Sequence, residues 1–175
     1  PLERKKEIIE AAKTIFMEKG FEAAQISDIV QQINVSQGLV YHYFRSKTEM
    51  LYAVIDDIAL TKQSQISEVV ANNNLSARQK IDWLLDYKLN SGGLDVLDLG
   101  ISSDVAVQEY CSKKITSSAI PMVLELLQRG NSDGSWHCEY PEETALFIAN
   151  GFRGFYDNFG SINDKERAKK ALSDI

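Results

Sequence analysis

Cysteine is scarce in this 175-residue chain: only Cys111 and Cys138 are present. Two thiols form no disulfide framework and no paired metal-ligand spacing. His137 adjoins Cys138, but two adjacent ligands without a second pair do not make a zinc site. Both thiols are expected to be reduced, as in a cytoplasmic protein, with redox sensing as the alternative role. No apolar run approaches the roughly 18 residues that a membrane span requires. No apolar core follows Pro1-Leu2-Glu3-Arg4-Lys5-Lys6-Glu7, so no signal peptide is expected. The missing initiator Met is expected to reflect trimming, or a fragment of a longer chain. There is no nucleophile with a base partner, no Gly-rich phosphate loop and no metal motif. An enzyme is therefore not expected, and no cofactor is implied. Repeats, low-complexity linkers and convincing strands are absent as well.

What is present is a helical, soluble composition. Hydrophobic residues make up 44% and charged residues 25%, ordinary for a globular protein with a sizeable core. The net charge of −6 is unevenly placed. Residues 1–50 carry seven Lys or Arg and seven Asp or Glu, and the remainder carries twelve and eighteen. The acidity thus lies wholly outside the first fifty residues. A neutral head holding Arg4, Lys5, Lys6, Arg45 and Lys47 can still bind phosphates. An acidic body limits non-specific association.

The informative stretch runs from Ile26 to Lys47. Ile29, Val30 and Ile33 give a first short helix one apolar face. Asn34 tolerates the left-handed conformation that ends a helix. Val35 plugs the turn into the core, and Ser36 is a good N-cap for a second helix. That helix spans about Gln37 to Phe44, with Val40 and Phe44 inward. Leu39, Tyr41, His42 and Tyr43 together are unusual on a purely solvated surface, and they suit bases and phosphates. Gly38 lets the helix start approach a duplex closely. Ser46-Lys47-Thr48-Glu49 reads as a capping box for the next helix, whose first amides, with Lys47, suit a phosphate. This is the pattern of a helix-turn-helix, which lays its second helix in the major groove of DNA.

These residues resemble the DNA-binding domain of the tetracycline-repressor (TetR) family of bacterial transcription regulators. Gly20-Phe21, Ile29-Val30, Val35-Ser36, Gly38, Val40-Tyr41, Phe44, Ser46-Lys47 and Leu51 match that family's signature across about residues 4 to 55. Gln25 departs from the usual Thr or Ser cap, and Asn34 replaces the usual Gly. The resemblance implies an all-α fold: a three-helix DNA-binding domain over residues 1–47, then a larger regulatory and dimerisation domain over 48–175, about nine helices in all. By residue-wise resemblance, Gln37, Gly38, Leu39 and His42 face bases. Tyr41, Tyr43 and Lys47 face phosphates, Ser27 lies at the groove rim, and Ser36 belongs to the same DNA-binding set.

The rest of the chain keeps helical spacing. A first helix is expected over Leu2–Lys19, stopped by Gly20. A long fourth helix starts near Thr48, and Asn72-Asn73-Asn74 ends the segment that follows. Ser76-Ala77-Arg78-Gln79 opens another helix, closed by Ser91-Gly92-Gly93. Further helices are expected over 94–112, over Ser112 to Arg129 with a kink at Pro121 unless a boundary falls just before it, over Pro141 to about Asn158, and from Asn163 to Ile175. Gly130 to Gly134 reads as a loop.

The resemblance implies a cytoplasmic, ligand-responsive regulator, most simply a repressor. It would bind a palindromic double-stranded DNA operator as a homodimer and be released by a small-molecule effector, with no membrane partner. Trp83, Tyr87, Tyr110, Met122 and Phe147 lie on helices that line the effector pocket in resembling proteins, although such residues also serve as plain core. An acidic, aromatic body suits a lipophilic cation among other ligands. Ile148, Phe152, Phe155 and Phe159 mark a dimer seam in the last two helices, where Gly151 and Gly154 allow close approach, although some of these aromatics would fill the subunit's own core. The alternative is a helical protein-interaction module without DNA binding.

Overall fold

The structure is a computed structural model that describes residues 2–90 and 105–159, the side chains of 85, 86, 88–90, 115, 152, 153 and 155–159 excepted. Among the described residues there are seven helices and no strand: α1 (Leu2–Lys19), α2 (Ile26–Ile33), α3 (Gln37–Tyr43), α4 (Lys47–Ala71), α5 (Ala77–Asn90), α6 (Val105–Asp133) and α7 (Pro141–Phe159). The helix expected over Asn163–Ile175 and most of the one over 94–112 lie outside the described residues.

The described residues form two compact units. The first comprises the described parts of 1–61 and 94–114, and the second those of 62–93 and 115–175. Both α4 and α6 contribute to each.

In the first unit, α1 buries Ile8, Ala11, Ala12, Ile15 and Phe16 along one stripe. It ends at Gly20, whose φ of +77° is a left-handed conformation costly for residues with a Cβ. Phe21, Ile29, Val40, Phe44, Met50, Leu51, Val54, Ile55 and Ile58 complete the core, together with Val107 and Cys111 from the start of α6. Burying each large apolar side chain contributes about 1.5–3 kcal/mol, so this core holds the short helices α2 and α3 in place. Burial pushes the Cys111 thiol up to about 11.

The second unit is built on Ile66, Val70 and Leu126, with Ile81, Trp83, Leu84, Tyr87 and Met122 packed against them. The box at the start of α5 is reciprocal: Gln79 N–H donates to Ser76 Oγ at 3.2 Å, and Ser76 N–H to Gln79 Oε1 at 2.9 Å. Lys80 is buried and donates to the Val70 carbonyl, at the C-terminal end of α4, at 2.7 Å. A cation there opposes the partial negative charge of the helix end. Desolvation, and secondarily the nearby Arg129, pulls the Lys80 pKa down.

Helix α6 is longer than expected. It runs without a break through Pro121 and includes Gly130. An interior Pro removes one backbone hydrogen bond, at about 3 kcal/mol, but the 29-residue helix retains its remaining ladder. Gly130 has a tertiary reason. The indole of Trp136 lies where a Cβ at 130 would sit, and Trp136 Nε1 donates to the Leu127 carbonyl at 3.1 Å. Asn131, in the last turn of α6, exchanges two hydrogen bonds with Cys138 beyond it, at 2.8 and 2.7 Å. Asp133 accepts from the Ala77 N–H at 2.8 Å and the Ser135 N–H at 2.9 Å.

Candidate nucleic-acid interface

The turn between α2 and α3 is made by local chemistry. Asn34 adopts φ 51°, ψ 53°, the left-handed conformation expected of a helix C-cap. Val35 follows and packs against the first core. Ser36 is extended, at φ −80° and ψ 147°, and its Oγ accepts from the Leu39 N–H at 3.2 Å. That bond satisfies one of the orphan donors of the first turn of α3. Val40 is fully buried and Phe44 nearly so, which fixes the rotation of the helix about its axis.

With Val40 and Phe44 inward, the outward face is set. Gln37, Gly38, Tyr41 and His42 are exposed, and Leu39 and Tyr43 are half-buried. The His42 and Tyr43 rings meet edge to face at 5.2 Å. A Cβ built at Gly38 would meet no atom of the chain within 4 Å. The protein's own packing therefore supplies no reason for glycine there. Ser27, in the first turn of α2, is also exposed.

The start of α2 shows how Gln25 replaces the usual hydroxyl cap. Its backbone N–H donates to Asp28 Oδ2 at 2.9 Å, and Lys19 lies 2.9 Å from Asp28 Oδ1. The Lys19 ammonium first, and then the Gln25 amide, hold the Asp28 carboxyl below the usual carboxylate range. An acidic residue three positions after a polar cap candidate is the signal that could have found this box.

Lys47, assigned to a phosphate by the resemblance, has an ammonium turned to the chain's own backbone. It donates to the carbonyls of Phe21 at 2.7 Å, Ala24 at 2.9 Å and Glu22 at 3.3 Å. It also lies over the Phe21 ring, 4.5 Å from the centroid. A lysine has three N–H donors, and these three carbonyls take all of them. Among the other basic residues, Lys5 lies over the Phe44 ring at 5.3 Å and Arg4 pairs with Glu7. Arg45 has an exposed side chain, and its backbone N–H donates to Glu49 Oε2 at 2.7 Å. In the box that starts α4, Glu49 N–H donates to Ser46 Oγ at 3.0 Å.

The residues assigned to an effector site are not all brought together. Trp83, Tyr87 and Met122 share the core of the second unit. The two rings stack at 4.9 Å, and Tyr87 Oη donates to Gln65 Oε1 at 2.7 Å. Tyr110 packs against the core of the first unit instead, its ring tilted by 36° against that of Tyr52 with centroids 4.4 Å apart, and donates to Asp56 at 3.0 Å. Phe147 is 80% exposed. On α7, Ala145 and Ala149 are buried and Ile148 half-buried, while Leu146, Phe147, Gly151 and Gly154 are exposed. The side chains of Phe152, Phe155 and Phe159 lie outside the described set. Among the described residues no cluster of His, Cys, Asp and Glu could hold a metal ion, and no helix is long and apolar enough to cross a membrane.

Comparison with known proteins agrees with this geometry. The family model for bacterial regulatory proteins of the tetR family matches residues 8–54, which span α2, the turn and α3. The uncharacterized HTH-type transcriptional regulator YfiR of Bacillus subtilis (strain 168) is 38% identical over 179 residues, covering 94% of this chain and 83% of that protein. Among solved structures, the reduced form of NemR from E. coli superimposes with a TM-score of 0.71 at 18% identity, covering 98% of this chain and 95% of that one. The regulator FadR of Bacillus subtilis, in complex with stearoyl-CoA, superimposes with a TM-score of 0.64 at 17% identity, covering 95% and 96%. With a helix-turn-helix capped and buried as described, and a relative this similar along nearly its whole length, the chain belongs to the TetR family of helix-turn-helix transcriptional regulators.

Proposed function

We propose that this regulator is a cytoplasmic repressor that binds a palindromic operator as a homodimer and is released by a small molecule. The observation that carries the reading is the outward face of α3: Gln37, Gly38, Tyr41 and His42 are exposed on a helix whose rotation is fixed by Ser36 and Val40. Gln37, at the helix start, has the amide that reads adenine in the major groove, and Gly38 and Leu39 beside it complete a base-facing edge. Tyr41 and Tyr43 carry hydroxyls suited to phosphate oxygens.

A single head contacts few base pairs, so a two-fold dimer on two half-sites follows from the geometry of DNA. The exposed Leu146 and Phe147 on α7, beside Gly151 and Gly154, support a dimer face on that helix. Ile148, Phe152, Phe155 and Phe159 lie on the same element. The stacked Trp83 and Tyr87, with Met122, support an effector site for a lipophilic molecule in the second unit. FadR, similar in fold, binds an acyl-CoA. The excess acidity after residue 50 in this chain favours a cation over such a polyanion.

The test is a mobility-shift titration against DNA from upstream of the protein's own gene, repeated with lipophilic cations and with acyl-CoA. A ligand that releases DNA must bind less tightly to the DNA complex by the same factor. No shift with any upstream fragment would favour a helical interaction module instead. A ligand that binds equally with and without operator is not the effector.

A further inference from the structure

We propose that Lys47 is a positioning residue for DNA reading: its ammonium, caged by three carbonyls, fixes the α1–α2 turn on the first turn of α4 and does not itself bind phosphate. This deepens the reading of α3 as a DNA-contacting helix and rests on it. The cage consists of the carbonyls of Phe21, Glu22 and Ala24, all within 3.3 Å of Nζ, closed on one side by the Phe21 ring. Phe21 in turn meets Phe16 edge to face at 5.3 Å, which ties the cage to the core.

Two features mark this as a built arrangement. Lys47 is the first residue of α4, where a cation faces the positive end of the helix dipole and gains nothing from its own helix. The carbonyls that hold it lie just past the end of α1, where positive charge is favoured. Phe21 to Ala24 would otherwise leave acceptors without partners from this direction, because the turn has no strand or continuing helix to receive them. The consequence reaches α3 through short connections. The turn leads directly into α2, α2 packs on α3, and only Phe44, Arg45 and Ser46 separate α3 from Lys47. Lys47 thus closes a loop that begins and ends beside the reading helix. The cage also selects for lysine. A compact ammonium with three tetrahedral donors fits three converging carbonyls, and a planar guanidinium does not.

The test compares wild type, Lys47→Met and Lys47→Arg by operator affinity as a function of salt, from about 50 to about 200 mM. Each phosphate neutralised contributes about 0.9 to the logarithmic salt slope. For a caged positioning residue, Lys47→Met weakens operator binding about tenfold or more with the salt slope unchanged. Lys47→Arg fails to restore affinity although it keeps the charge. If Lys47→Met instead lowers the slope by about one unit and Lys47→Arg restores both slope and affinity, Lys47 is a phosphate ligand and the proposal is overturned. If Lys47→Met does not fold, Lys47→Arg alone decides, since a phosphate ligand tolerates that change. Amide exchange in the DNA-free protein separates this from failure of the DNA reading. The Ala24 and Asp28 amides, which close the turn, exchange faster in both variants while those at Val54 to Ile58 do not. Wild type that binds no DNA, with that exchange pattern present, refutes the functional reading and leaves the clamp standing. Unchanged exchange refutes the clamp.

Discussion

The ammonium of Lys19, in the last turn of α1, lies 2.9 Å from the carboxylate of Asp28, in the first turn of α2. The same carboxylate accepts the Gln25 amide at 2.9 Å, so one side chain both caps α2 and ties it to α1. Two helices of the reading head, α1 and α2, are thus joined through one ionised group.

That dependence has a pH sign. The Asp28 pKa is depressed in the folded state, by Lys19 first and the Gln25 amide second. Its stabilisation is fully present above the unfolded value of about 3.9 and is lost as pH falls through the lower folded value. Asp28→Asn should be less stable than wild type at neutral pH, and the difference should narrow as the pH falls below the unfolded value. Urea unfolding at pH 7 and at pH 3 checks the narrowing. A gap of equal size at both pH values would assign the effect to something other than the charge.

Gly38 separates folding from recognition. A Cβ there meets nothing in the chain, and glycine within a helix is destabilising by about 0.5–1 kcal/mol relative to alanine. Gly38→Ala should therefore raise stability by up to that amount while weakening operator binding, because the new methyl group stands on the groove-facing edge. Thermal unfolding and a binding titration on one preparation decide it. Full operator affinity in the more stable variant would remove the close-approach role.

Phe147 is a surface residue in the single chain, 80% exposed beside Leu146 on α7. A charge at this position costs the folded subunit little, since surface substitutions usually change stability by less than about 0.5 kcal/mol. Phe147→Glu should leave thermal unfolding of the subunit nearly unchanged while raising the monomer fraction in sedimentation. An unchanged dimer would move the self-association face elsewhere.

Gly130 is held by the opposite logic. A Cβ there would overlap the Trp136 indole and force it off the Leu127 carbonyl. Gly130→Ala should destabilise by about 1–3 kcal/mol through overpacking. In a Trp83→Phe background, the remaining Trp136 emission should shift to the red as the ring moves toward water. Wild-type stability and emission would show that α6 yields there without strain.

What was legible in the sequence was local. Asn34, Ser36, the Ser76–Gln79 box and the start at Pro141 act within one turn of themselves, and each behaves in the structure as its side chain dictates. The inward positions Ile29, Val40 and Phe44 followed from spacing alone. What escaped depends on residues far apart in the chain. The carbonyls that surround the Lys47 ammonium lie more than twenty positions earlier, so no local pattern announces them. Gly130 looked like a loop residue because its tertiary partner, the Trp136 indole, is not visible in a helix pattern. The boundary expected near Ser112 is absent, and one helix runs from Val105 to Asp133 with buried residues at Val107, Cys111, Leu126 and Leu127. Tyr110 and Phe147 were grouped with Trp83 on helix membership, and membership does not say which face of a helix a residue occupies.

The buried thiol of Cys111 bears on how this protein can be handled at the bench. With a pKa of about 11, only on the order of one thiol in ten thousand is ionised at pH 7, and the thiolate is the form that reacts. Brief treatment with a maleimide near neutrality should leave position 111 untouched and direct the dye to the more accessible Cys138, beside the amide clamp of Asn131. The natural sequence thus carries its own single attachment point for a fluorescent or spin reporter in the second unit, with no cysteine to be engineered in or out.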